Sequence, residues 1–445
     1  MNITVRGCTM VKLSRRSVLK TGAVLAAGAT SGVGAGIRCA EAADRAGSKY
    51  NWGHTMDFGE QYYVRVTGML ENIRRNEMNL IGEISDRMVD TLKKGGTVCL
   101  QHSVGHMPSH EFNEENKGNP RIMKSTKFDI KQLKSGDVLV TNSVNENVRN
   151  ARDMGVYVVG VPVNYVDNEW TPRGFVQPNV NNWMLGDVSS VILQSYIPHT
   201  QGVVDCPQIP EMKLFPSSSN SSCTLFWMFQ AEVANKLKNK KPVNLEMAGA
   251  VIDTILMRIK DAYSLQKDYM FDNAPTVAKM IGNGAHYHVT SNHGGVQSEA
   301  GGVAMGPMMT NAFRKEMKKG DIHLVATIEP DSQIIVDEAK KAKEMGMFVV
   351  SIAPGNSLQL RRYSDVFIDN LTPEGGGLLS ISGFNDKVGN IGGIMNNMLT
   401  WIFTAQFIDE MVRRGWIPWF WMGFFTVGGR EYSDGVRPFF LRQGF

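Results

Sequence analysis

The chain has 445 residues, of which 42% are hydrophobic and 20% charged, and its formal net charge is +4. That length suffices for two ordinary domains, and the composition is that of a packed globular protein. A small, dispersed positive charge with no block of like charges gives no electrostatic support to nucleic-acid binding.

The first stretch in chain order is "LSRRSVLKTGAVLAAGATSGVGAG", in which Arg15 and Arg16 precede a mildly apolar run. Ala40, Glu41 and Ala42 then offer a small-x-small cleavage site. This pattern is similar to a twin-arginine export signal, so residues 1–42 are expected to be removed and the mature protein to work in the periplasm, outside the cytoplasm. Cys99, Cys206 and Cys223 remain after that cleavage. A Cys206–Cys223 bridge and plain buried thiols both fit an oxidising compartment. No later segment reads as a membrane span. "GWIPWFWMGFF" at 415–425 is apolar but short and interrupted by Pro418, so a buried strand or interface segment is expected there.

After the signal, "YYVRVTGMLENIRRNEMNLIGEISDRMVDTLKKGG" carries apolar residues at helical spacing and closes on Gly95 and Gly96. "TVCLQHSVGHMPSHEFNEEN" reads as a buried strand, a polar loop and a helix start. "GDVLVTNS", "ARDMGVYVVGVPV" and "LGDVSSVILQSYIP" supply three more strands. "SSSNSSCTLFWMFQAEVANKLKNKKP" reads as a capped helix. The same order then returns, from a long helical segment through "AHYHVTSNHGGVQSE", "GDIHLVATIEPD", "AKEMGMFVVSIAP" and "YSDVFIDNLTP" to a last helix. Gly-Asp recurs at 136–137 and 320–321, Met-Gly at 154–155 and 345–346, and a closing Pro at 242 and 418. The first copy is shorter between its Gly-Asp and Met-Gly pairs, which predicts a helix shorter by about two turns. Two domains are therefore expected, 43–243 and 244–445.

Continuous apolar strands alternating with helices predict parallel sheets covered on both faces. Ligands of such sheets sit beyond the carboxyl ends of the strands. The loops that matter are then "SVGHM", "TNSVNEN" and "SSSNSS" in the first copy, and "TSNHGG", "TIEPDS" and "GNIGG" in the second.

Order and wording together resemble the SIS (sugar isomerase) domain. "GDVLVTNS…ARDMGVYVVGVPV" is similar to that family's second and third strands, and "YSDVFIDNLTPEGGGLL" to a later segment. Gly105-His106 and the terminal "IPWFWMGFFTVGGRE" resemble a less characterised branch of the family. The resemblance implies two SIS-like three-layer α/β/α units, each with a parallel five-stranded sheet flanked by helices. It also implies a phosphosugar cradle, a hydroxyl-rich loop after the second strand that opens a helix N-terminus. The ligand-binding residues it marks are Ser103, Thr141, Asn142, Ser143, Asn145, Glu146, Ser217, Ser218 and Ser219 in the first copy, and Ser291, Thr327 and Ser332 in the second. In the first copy Val144 stands where the family has glycine, and Glu146 places an anion where a phosphate would rest. In the second, Glu329 and Asp331 do the same. Like charges in a poorly solvated cleft repel by several kcal/mol. Arg149 and Arg152 could offset Glu146, and no cation follows the second loop closely. Acidic loops suit a neutral or amino sugar better than a phosphate dianion.

Isomerisation through an enediol needs an acid and a base near two carbons, and His and Glu are the usual groups. His106 and His293 lie in equivalent loops, with Glu114 and Glu299 on the segments that follow. These four are the catalytic candidates. His110 and Glu114 at i, i+4 share a helix face, as a zinc pair or as a surface ion pair. His286 and His288 share a strand face, by packing or by ligation. Two functions stay open: an exported carbohydrate-derivative enzyme of the aldose–ketose isomerase type, and a non-catalytic sugar-binding or sensing protein. The partner expected is a small-molecule sugar derivative, with a second copy of the chain as a further reading.

Overall fold

The computed structural model describes residues 56–101, 118–125, 128–163, 183–239, 245–292, 295–301, 304–310, 316–373, 377–424 and 426–445. The segment 1–42, read above as an export signal, lies outside them, as do Ser103, His106, His110, Glu114 and His293.

Apolar residues recurring at helical spacing build α1 (Phe58–Asn76) and α2 (Met78–Lys93), which break at Glu77. β1 (Val98–Gln101), β2 (Val138–Thr141), β3 (Tyr157–Gly160) and β4 (Val191–Ile192) follow, with α3 (Glu146–Asp153) and α4 (Leu185–Val188) between them. All three pairings of this sheet are parallel. A hairpin of β5 (Gly202–Val204) and β6 (Leu214–Pro216) then feeds α5 (Ser218–Lys238). α6 (Glu246–Gly282) opens the second series. Its sheet is β7 (Tyr287–Ser291), β8 (Ile322–Ala326), β9 (Phe348–Ala353) and β10 (Val366–Asp369), again all parallel, with β7 at one edge. α7 (Val296–Ala300), α8 (Gln333–Glu344) and α9 (Leu358–Arg362) connect it. A second hairpin, β11 (Gly377–Leu379) with β12 (Val388–Asn390), feeds α10 (Gly392–Arg413), and α11 (Gly429–Gln443) closes the chain.

Period-two alternation decides what each sheet face touches. Val98, Leu100, Val138 and Val140 point into one large core with α1, α2, α5, α6 and α10. Ile322, Leu324, Val350 and Ile352 of the second sheet join that same core. The opposite faces have small cores of their own. Cys99, Leu139 and Val158 pack with Ile130, Leu133 and Val148, whereas Val325 and Val349 pack with Ile335, Val336 and Ala339. The two sheets therefore share one helical layer, which makes the architecture α/β with helices on both faces of each parallel sheet.

The two Gly-Asp turns make matching bonds. Gly136 N donates to Gly155 O (3.0 Å), and Gly320 N to Gly346 O (3.1 Å). All four glycines have positive φ, between +77° and +96°, a region closed to most side chains. Asp137 accepts from Thr97 N and Lys134 N, and Asp321 accepts from His286 N and Lys318 N.

Two expectations are corrected. Each sheet has four strands among the described residues, not five. The segment at 415–424 forms no sheet strand. It makes one isolated bridge, Phe420 to Pro307, and buries Phe420 and Trp421 in the large core, with Trp416 against Gly282. α3 is 8 residues against 12 in α8, a difference of about one turn rather than two; the rest of the shortening falls in the flanking loops. Cys99, Cys206 and Cys223 are all buried.

Candidate functional site

The serine run sits at the head of α5, and all six residues Ser217–Ser222 are buried. It does not cap the helix in the expected way, because Ser217 makes no side-chain cap bond and donates instead to Gln201 O (2.9 Å). Ser218 Oγ meets Gln201 Oε1 at 2.9 Å, and Ser221 Oγ donates to Ser195 O at 2.7 Å. Ser219 Oγ donates to Glu299 Oε2 at 2.6 Å, joining the first half of the chain to α7 of the second. Asn220 Nδ2 donates to Tyr62 Oη (3.0 Å), which donates to Pro216 O (2.8 Å).

Glu299 is only 3% exposed. Burial disfavours its charged form and raises its pKa to about 7, against the opposing pull of Ser219 and Trp401. Tyr62 is pushed well above the usual phenol range, first by burial and then by Glu299. A carboxyl group that titrates near neutrality can both accept and return a proton. Several buried polar atoms on the two helix heads make no hydrogen bond among the described residues. These include Asn220 Oδ1 and Ser222 Oγ on α5, and Asn396 Nδ2 and Asn397 Oδ1 at the head of α10. Each such group costs about 1–3 kcal/mol unless something answers it. The backbone nearby is strained as well, since Thr200, Gln201 and Phe215 all have positive φ.

The loops after β2 and β8 are built alike. Thr141 Oγ1 accepts from Ser143 N, and Thr327 Oγ1 accepts from Glu329 N, each at 3.0 Å. Thr141, Asn142 and Thr327 are buried, whereas Asn145 and Glu146 are exposed. Asn145 caps α3 by accepting from Val148 N, and Glu146 occupies the first helical position. Arg149 lies over the Trp183 ring and beside Asp153, and Arg152 donates to Asp187 O and Asp153. Both cations that could offset Glu146 are thus committed elsewhere. In the second loop, Asp331 Oδ1 accepts from Gln359 N and Leu360 N at the start of α9, and Ser332 bonds Asn292. Ser291 Oγ accepts from Gln297 N in α7. Asn370 ties Thr327 O to Asn396 Oδ1, which connects this loop to the head of α10.

The structure therefore brings Ser217, Ser218, Ser219 and Glu299 into one network and places Thr327 in another. Tyr62, Gln201, Asn220 and Asn370 belong to these networks and were not singled out in the sequence. Asn396 and Asn397 did leave a signal, as adjacent amides inside the apolar run "IMNNMLTWIF". A cleft of about 860 Å³ opens elsewhere, between α1 and residues 199–213. Gln61, Arg65, His199, Asp205 and Lys213 line it, and none of the expected site residues does.

At the opposite, amino ends of β7 and β8 lies a third cluster. His288 Nε2 is 3.0 Å and His286 Nδ1 3.8 Å from Asp321 Oδ2. His323 pairs with His288 across the strands, and its Nε2 meets Thr290 Oγ1 at 2.9 Å.

No family model matches the chain, and no curated protein does. Solved structures do. The C-terminal domain of glucosamine-fructose-6-phosphate aminotransferase from Francisella tularensis is similar at 9% identity and a TM-score of 0.47, over 84% of this chain and 100% of that one. A proposed tagatose-6-phosphate ketose/aldose isomerase from Clostridium novyi is similar at 11% identity and a TM-score of 0.47, over 80% and 89%. Glucosamine-6-phosphate deaminase from Thermotoga maritima is similar at 11% identity and a TM-score of 0.34, over 79% and 96%.

Proposed function

We propose that this chain is an exported protein of two SIS-like units that binds a sugar derivative where its halves meet, with Glu299 as the acid–base group. The observation that carries this reading is the Ser219–Glu299 bond, which places a carboxyl of pKa about 7 from one half on the buried helix head of the other. The unanswered polar atoms on α5 and α10 suit a ligand with many hydroxyls. The segment resemblance to SIS domains and the twin-arginine pattern support the family and the export route in this reading. The ligand favoured is a neutral or amino sugar, because Arg149 and Arg152, which follow Glu146, are engaged with Trp183, Asp153 and Asp187. In an aldose–ketose isomerisation, ionised Glu299 would take the proton from the sugar's C2 and return it to C1, while the C2 hydroxyl proton passes to the C1 carbonyl oxygen. Ser219 would stabilise the ionised carboxylate by donating to it.

A thermal-shift screen with plain, amino and phosphorylated sugars side by side tests this. Plain or amino sugars are expected to raise Tm at least as much as their phosphates. A shift from phosphates alone overturns the ligand class, and no shift from any sugar overturns the reading. A non-catalytic binder is the second reading, favoured by Val144 in place of the family's glycine. Binding without interconversion of the sugar selects it.

A further inference from the structure

We propose that His286, His288 and Asp321 bind a divalent transition-metal ion, with zinc the reference case, at the amino ends of β7 and β8. The donor atoms of the three side chains all lie within 4.8 Å of one another. Metal–ligand bonds of about 2.0–2.1 Å in a tetrahedron put ligand atoms roughly 3.4 Å apart. The two separations from Asp321 Oδ2, 3.0 and 3.8 Å, lie on either side of that value. Strand geometry sets the pair of rings, since residues two apart on β7 project to the same face. Parallel register sets the carboxylate, because His286 precedes the Tyr287–Ile322 pair and Asp321 lies beside it.

The carboxylate is held in place by the chain itself. His286 N donates to Oδ1 at 2.9 Å, and Lys318 N donates to Oδ2 at 3.1 Å. Partners of this kind orient a metal-binding carboxylate. Burial is graded, from 1% side-chain exposure at Asp321 through 9% at His288 to 24% at His286, which leaves one open side for a fourth ligand.

The first sheet shows that these histidines are not required by the fold. Asp137 makes the same two amide bonds, yet Thr97 and Cys99 stand where the second sheet has His286 and His288. Leu139 stands where the second has His323. The amide clamp explains the aspartate in both halves, whereas the imidazoles beside it belong to the second. Two imidazoles with one carboxylate suit zinc and its neighbours, whereas calcium and magnesium require oxygen ligands. The site is also remote from the carboxyl ends of the strands. Ser291 is five residues along β7, roughly 16 Å away. The ion would therefore act as a clip between the edge strand and its neighbour.

The test uses the full chain freed of metal by a chelator and titrated with Zn²⁺ and with Co²⁺. One equivalent is expected to bind and to raise Tm. The Co²⁺ complex should show visible ligand-field bands without thiolate charge transfer. In the double variant His286→Thr, His288→Ala, affinity should fall by more than the roughly 10–100-fold typical of orienting residues, with far-UV circular dichroism unchanged. Failure of metal-free wild type to bind either ion overturns the proposal. So does a thiolate band, or undiminished binding in the folded variant. Should the variant not fold, the wild-type stoichiometry and Co²⁺ spectrum decide alone.

Discussion

The two Gly-Asp turns hold the same backbone bonds but serve different surroundings. In the first half the aspartate clamp lies over an apolar face of Cys99, Leu139, Ile130 and Leu133. In the second the same clamp adjoins His286, His288 and His323. The helix heads differ in the same way: α5 opens on buried serines, and α10 on Gly392 and Gly393 with Asn396 and Asn397 behind them. The frame fixes the glycines, the aspartates and the apolar strand centres, and chemistry occupies the positions that the frame leaves free.

The largest effect should come from breaking what the halves share. Asp137→Ala and Asp321→Ala each remove the charged acceptor of two part-buried amide bonds, at about 2 kcal/mol apiece. Urea unfolding of metal-free protein should show both variants losing about 4 kcal/mol. A large loss in one and none in the other would mean that the clamps are not equivalent.

Next is a buried carboxyl of the second half, Glu299. Glu299 keeps its proton in the folded state up to about pH 7, while an ordinary glutamate releases it near 4.5. Between those values the folded state binds more protons than the unfolded one. Stability should therefore fall as pH rises from 4.5 to 7, by about 3 kcal/mol in total. Glu299→Gln should abolish that loss and be the more stable protein above pH 7. A pH profile that is the same in both proteins would contradict the raised pKa.

Ser219→Ala is expected to cost about 1–2 kcal/mol where Glu299 is ionised, and less where it is protonated. The same change should move the Glu299 titration upward, because the lost bond favours the charged form. The smallest contrast lies between Gly155→Ala and Gly346→Ala. Both place a side chain at positive φ, at about 1–2 kcal/mol. At Gly155 the new Cβ also meets Ser135 Oγ at 2.6 Å, whereas at Gly346 it meets only the flexible Lys319 stem at 3.1 Å. Thermal melts should rank Gly155→Ala as the more damaging.

Local patterns carried the fold into the sequence. The repeated Gly-Asp and Met-Gly pairs marked the turns, because only glycine takes those backbone angles at little cost. Apolar runs marked the parallel strands. The second sheet's fifth strand failed because aromatic density at Gly415–Phe424 reflects packing into the large core, and apolar content alone does not distinguish that from a ladder. The serines of α5 were visible as polar residues ahead of an apolar helix, but their partner Glu299 is 80 residues away. Tyr62 was unreadable for a related reason. On an amphipathic helix it looks like any core aromatic, and only the folded chain shows its hydroxyl between Asn220 and Pro216. The shared face of His286 and His288 was legible from spacing, but Asp321 joined them only through the β7–β8 register.

The reading of the junction as a sugar site stands on Glu299. The most direct measurement is calorimetric binding of the sugar giving the largest thermal shift, to wild type and to Glu299→Gln, at about pH 6 and pH 8. The predicted result is an affinity that changes with pH in wild type, by tenfold or so as the carboxyl ionises, and does not change in the variant. Equal affinities in both proteins at both values would contradict it.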